Sequence, residues 1–131
     1  MTPGDSYTLR WQVTHEGTAA ALTHLSGDPF PEVLATTRCI ALIELAAGHL
    51  LMPLLQPGQL SVGVTVEVKH LAATPVGAWV EATARFLGQE GKMYKFAGVV
   101  RDPAGEVMTG THSRAIIDEA RLLDGAKKRA T

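Results

Sequence analysis

Cysteine is nearly missing from this chain: Cys39 is the only one in 131 residues. No intrachain disulfide can form, and a reducing, cytoplasmic setting is expected. Four Cys/His ligands at zinc spacing are absent too, so a structural metal site is not expected. Neither sign of charge dominates, with 12 Lys and Arg against 13 Asp and Glu and a formal net charge of −1. Nucleic-acid binders gather a basic excess on one face. Here basic residues cluster only in the tail AKKR at 126–129, which reads as a solvated terminus. No run approaches the ~20 apolar residues that span a bilayer. The opening MTPGDSYTLR lacks the apolar core of a signal peptide. Repeats and low-complexity linkers are missing as well. So are a Ser-His-Asp arrangement and a glycine-rich phosphate loop before a helix. These absences leave one soluble domain over 1–131, whose 46% hydrophobic and 19% charged residues suffice for a core.

What is present divides into a few elements. SYTLRWQVT alternates, with Tyr7, Leu9, Trp11 and Val13 on one face, and predicts a strand. Residues 15–35 carry Gly17, Gly27, Pro29 and Pro31, which predicts an irregular stretch with one short helical turn near Thr18–His24. A segment this long in a small domain often carries function or acts as a lid. The strongest helical signal covers about 36 to 52. Ile40, Ile43, Ala47, Leu50 and Leu51 repeat at helical spacing, and Leu42, Leu45 and Ala46 widen the apolar surface to that of a buried helix. Thr36 or Thr37 is the expected cap, and Pro53 then Pro57-Gly58 end the element.

Period-two segments follow. Val62, Val64, Val66 and Val68 alternate with polar residues and glycine. Turns at TPVG (74–77), QEGK (89–92) and DPAG (102–105) separate three more strands, AWVEATARFL, MYKFAGVVR and EVMTGTHSRAIID. This spacing predicts an antiparallel meander. Residues 119–131 read as a short polar helix or tail. The simplest packing is α+β, one curved sheet wrapped around the central helix.

Two ionisable residues stand out against this apolar background. Glu44 lies mid-helix between Ile43 and Leu45, and His70 shares the parity of the four valines, so both are expected on the face between helix and sheet. A carboxylate shielded from water suits a general base or a nucleophile, and an imidazole beside it can activate water or protonate a leaving group. Burying either group alone is costly. Thr36 and Thr37 lie where free backbone N–H groups and the positive end of the helix dipole could hold an oxyanion. Gly63 interrupts the valine strand, as glycines do at bulges or close backbone approaches. Arg114 shares a face with Met108, Gly110, His112 and Ile116, and can pair with an internal carboxylate or bind an anion. His15, His24, His49 and His112 read as surface or structural residues. His49 points about 140° from Glu44 on ideal helix geometry. Cys39 reads as a small core residue.

The run FPEVLATT, then Glu44, then PGQLSVGVTVEVKHLAATP and GTHSRAII, resembles the fluoroacetyl-CoA thioesterase-like family of hot-dog-fold acyl-CoA thioesterases over most of 28–118. The resemblance implies a hot dog fold, a homodimer or dimer of dimers, and hydrolysis of a coenzyme A thioester without a further cofactor. It implies catalytic roles for Thr36, Glu44 and His70, substrate-side roles for Gly63 and Arg114, and an acyl-pocket gate at Phe30. Two other expectations keep the same scaffold: a non-catalytic acyl-CoA or ligand-binding protein, and a hydratase or dehydratase. A small cone binding apolar ligands is a fourth.

Overall fold

Strand β1 (Ser6–Gln12) opens the fold, and its residues alternate between exposed and half-buried, as the period-two pattern predicts. The computed structural model describes residues 1–22 and 25–130. Two short 3₁₀ turns, His15–Gly17 and Ala19–Leu22, follow β1. The expected turn near Thr18–His24 is thus formed in its first part, while His24 lies outside the described residues. Backbone bonds from Ala19 N–H to Val33 O (2.9 Å) and from Ala35 N–H to Gly17 O (2.9 Å) fold this irregular segment back on itself.

Helix α1 (Thr36–Leu51) buries Cys39, Leu42, Ile43, Ala46, Ala47 and Leu51. Leu42 and Ile43 join Val80, Ala82, Val100 and Met108 in one core cluster. Ala46, Ala47 and Leu51 join Ala84, Phe86 and Phe96 in another. Two expectations are corrected here. First, the helix is covered on one face only, since Leu45 remains 60% exposed. Second, Thr36–Leu54, α1 with its last turn, is apolar and long enough to cross a membrane by length and composition. Its buried stripe instead packs on the sheet.

Strands β2 (Gln59–His70), β3 (Trp79–Glu90), β4 (Met93–Asp102) and β5 (Gly105–Asp118) complete one antiparallel sheet, and α2 (Glu119–Lys128) follows β5. The order is β1-β3-β4-β5-β2. Only β3, β4 and β5 form the expected meander; β2 pairs with β5 rather than β3. The connection after β2 is too well anchored to be a hairpin. Leu34 N–H bonds Thr74 O at 2.8 Å, and Gly77 N–H bonds Val13 O at 2.8 Å, which carries the chain across the helix entrance to β1.

The facing of β2 is also corrected. Its register against β5 shifts between Gly63 and Thr65. Val64 is the extra residue, so side-chain parity inverts there. Ser61 and Gly63 face α1 before the bulge, while Val66, Val68 and His70 face it afterwards. A bulge is what allows Gly63 and His70, of opposite parity in sequence, to share one face.

Candidate active site

Thr36 is the first helical residue of α1 rather than its cap. Ala35 takes the cap position in extended backbone (φ −70°, ψ 143°), and an alanine offers no capping oxygen. The expected threonine cap is therefore corrected, and the physical reason lies across the groove. The Thr36 hydroxyl is 2.7 Å from Nδ1 of His70, at the end of β2. Thr37 is exposed and lines a shallow cleft with Glu16 and Arg38 instead. Without a capping side chain, the first backbone N–H groups of α1 keep their unsatisfied donors and partial positive charge. The other ring nitrogen of His70, Nε2, is buried and has no hydrogen-bond partner among the described residues. This end of the helix thus gathers a hydroxyl, an imidazole with one uncommitted nitrogen, and free backbone donors.

Glu44 lies eight residues further along α1, about 12 Å along the axis. Its carboxylate bears on β2 at Gly63, where an added Cβ would come within 2.6 Å of Glu44 Oε2 and 3.2 Å of His112 Cε1. Glycine is thus needed because the carboxylate passes over the strand backbone. Arg114 NH1 reaches the same Oε2 at 3.5 Å, and the side chains of Arg114 and Glu44 are 11% and 39% exposed. The arginine Nε donates to Ser61 Oγ at 3.0 Å, and NH2 donates to the Ser61 carbonyl at 2.9 Å. Burial pulls the Arg114 pKa down, while Glu44 pushes it back up. The guanidinium stays a cation across the physiological range.

The structure thus sorts the expected residues into two groups within one chain. Thr36 and His70 meet at the helix start; Glu44, Gly63 and Arg114 meet two turns on. No hydrogen bond joins the two groups among the described residues. Phe30 stands 50% exposed on the irregular segment before the helix.

One residue at the second group was not singled out as functional from the sequence. His112, read there as surface or structural, is only 2% exposed and lies against Gly63 and Arg114. Its parity with Arg114 on β5 was the available signal. His49 and His15 behave as expected: His49 stacks on Tyr7 at 3.9 Å between ring centroids, and His15 pairs with Glu32 on the surface; His24 lies outside the described residues. Cys39 is fully buried, and burial pushes its thiol pKa up to about 12, so it is an inert core residue.

Comparison with known proteins identifies the family. The model of the FlK family, described as fluoroacetyl-CoA-specific thioesterase, matches residues 13–120. The fluoroacetyl-CoA thioesterase of Streptantibioticus cattleyicolor is 40% identical over 88 residues; the match spans 67% of this chain and 63% of that protein. A solved threonine-to-serine variant of a fluoroacetyl-CoA thioesterase, in complex with acetyl-CoA, superposes with a TM-score of 0.94 at 31% identity, with all of both chains covered. A hot-dog-like protein from Thermanaerovibrio acidaminovorans has a TM-score of 0.84 at 24% identity, covering 97% of this chain and 91% of that one, and speaks for the fold alone. With α1 lying on a five-stranded antiparallel sheet, this chain has the hot dog fold and belongs to the fluoroacetyl-CoA-specific thioesterase family.

Proposed function

We propose that this protein hydrolyses a short-chain acyl-CoA thioester to the free acid and coenzyme A. The observation that carries the reading is the 2.7 Å contact between Thr36 Oγ1 and His70 Nδ1 at an uncapped helix start. Glu44 and His70 activate the attacking oxygen, which is the Thr36 hydroxyl or a water beside it, and His70 takes its proton. The first-turn N–H groups of α1 receive the negative charge that develops on the thioester oxygen. The carbon–sulfur bond then breaks, and the coenzyme A sulfur takes the proton held by His70; where Thr36 is the attacker, a water deprotonated by His70 then hydrolyses the acyl-threonine ester to the free acid and restores the hydroxyl. The reaction needs no further cofactor, because coenzyme A arrives as part of the substrate.

Related proteins support a small acyl group. Solved fluoroacetyl-CoA thioesterases hold acetyl-CoA, or fluoroacetate with CoA. The positions varied in those structures are a phenylalanine and a threonine six residues later, the spacing of Phe30 and Thr36 here. Phe30 is accordingly assigned to the acyl end of the site. A cytoplasmic location belongs to the same reading and is supported by the single, buried thiol; cell fractionation checks it.

The active unit is a homodimer. Strand β2 ends the sheet, and among the described residues no strand pairs its outer edge. Val64 and Val66 on it are 52% and 42% exposed. Such an edge is a template for another strand. Antiparallel pairing of two β2 edges about a twofold axis near mid-strand reverses the order of residues. The Gly63 end of one copy, with its Glu44, then approaches the His70 end of the other. That assembly unites the two groups that one chain holds apart.

The test is a panel of acyl-CoAs, assayed for free thiol, with Glu44→Gln and His70→Ala made separately. Each variant is expected to lose at least about 100-fold in kcat. Near-wild-type turnover in both overturns the reading. Acyl-CoA binding without thiol release by the wild type would make the protein a binding module instead, and hydration of crotonyl-CoA would make it a hydratase.

A further inference from the structure

His112 is the buried ionisable group at the second cluster to which thioester chemistry gives no task. Both its ring nitrogens are engaged. Nδ1 lies 2.8 Å from the Thr65 carbonyl oxygen, which can only accept, so Nδ1 carries the proton. In the neutral ring Nε2 is then a bare acceptor. Arg114 NH1, which can only donate, stands 3.2 Å from it. The same NH1 faces Glu44 Oε2 at 3.5 Å. The guanidinium is therefore fixed from three elements: β2 through Ser61, β5 through His112, and α1 through Glu44. The β2 bulge opposite makes this possible, since it sets Gly63 across from Arg114 and Val66 across from His112.

We propose that His112 is a positioning residue: its neutral imidazole, accepting at Nε2, orients the Arg114 guanidinium and through it the Glu44 carboxylate. The inference rests on the proposed thioesterase reading, in which Glu44 serves the reaction. The charged groups facing the ring are Arg114 on its own strand and Glu44 from α1; Lys95 of β4 lines a groove together with His112. Phe96 of β4 lies beside it, 6.5 Å between ring centroids. Burial lowers the His112 pKa, and the Arg114 cation lowers it further against the opposing pull of Thr65 and Glu44. Protonation at Nε2 sets donor against donor and cation against cation, so the alignment of Glu44 should fail on the acid side.

Two substitutions separate positioning from packing. In His112→Gln the amide oxygen can occupy the Nε2 position and still accept from Arg114. In His112→Asn the shorter amide reaches Thr65 but leaves Arg114 without that acceptor. His112→Asn is expected to lower kcat about 10- to 100-fold with KM little changed, while His112→Gln keeps most of its turnover and loses one group from the acid limb of its pH profile. Nitrogen NMR of the wild type at neutral pH is expected to show the Nδ1–H tautomer, a readout that holds even if His112→Asn fails to fold. Equal losses in both variants, full activity in His112→Asn, an unchanged acid limb in His112→Gln, or an Nε2–H tautomer would each overturn the inference. Inactive Glu44→Gln beside fully active His112→Asn would overturn this inference alone. Active Glu44→Gln and His70→Ala would remove the functional reading beneath it.

Discussion

Side chains here do their work through close approach to backbone, and Gly63 shows it most directly. A methyl group at this position would meet the Glu44 carboxylate at 2.6 Å. Either the carboxylate turns away or the strand moves. Gly63→Ala is therefore expected to lower kcat about tenfold or more, with only a small loss in thermal midpoint, because Glu44 has solvent to turn into. Steady-state kinetics beside a melting curve check this; unchanged kcat would mean that the carboxylate orientation is irrelevant to turnover. Much of this scale was legible in the sequence. Glu44, His70, Gly63 and Arg114 were conspicuous because each is a residue type that its surroundings do not explain. His112 was not, since a histidine among Thr, Ser and Gly gives no sign of burial. Its 2% exposure comes from the β2 bulge and α1 closing over it.

At the level of elements, α1 starts without a side-chain cap, although two threonines stand at its first turn. A serine at Ala35, which already has cap geometry, would supply the missing oxygen to a first-turn N–H. Such caps contribute about 0.5–2 kcal/mol. Ala35→Ser is expected to raise the thermal midpoint while lowering kcat, because the new hydroxyl competes with the thioester oxygen for the same donors. A rise in both would mean that the first-turn N–H groups are not the oxyanion site. The helix and strand segments themselves were readable from periodicity, to within a few residues at each end. The facing of β2 was not, because a bulge leaves no mark in a run of alternating valines beyond a lone glycine. The pairing of β2 with β5 was not readable either: TPVG does turn, with Ala78 N–H bonded to Pro75 O at 3.3 Å, but its Thr74 and Gly77 bond to Leu34 and Val13 rather than joining β2 to β3 as a hairpin.

For the molecule as a whole, the decisive question is how Glu44 and His70 come to serve one substrate. Within a protomer the helix rise and the strand length keep them apart; in the proposed dimer, two copies joined at β2 would bring unlike ends together. A charge on that edge should separate the copies. Val64→Glu, at the exposed bulge residue of β2, is expected to sediment as a monomer at micromolar concentration and to lose most of its thioesterase activity while keeping its far-UV spectrum. A wild type that sediments as a monomer and is fully active would refute the dimeric site.

By itself the sequence determined the elements, the apolar face of the helix, and the residue types available for chemistry. Those follow from local periodicity and from the cost of placing ionisable groups among apolar ones. The tertiary structure decided which of those residues meet. The bulge at Val64 set the facing of the strand, the crossover after β2 set the sheet order, and the Thr36 hydroxyl found His70 rather than its own helix. Such choices depend on contacts between segments distant along the chain, which no local pattern encodes.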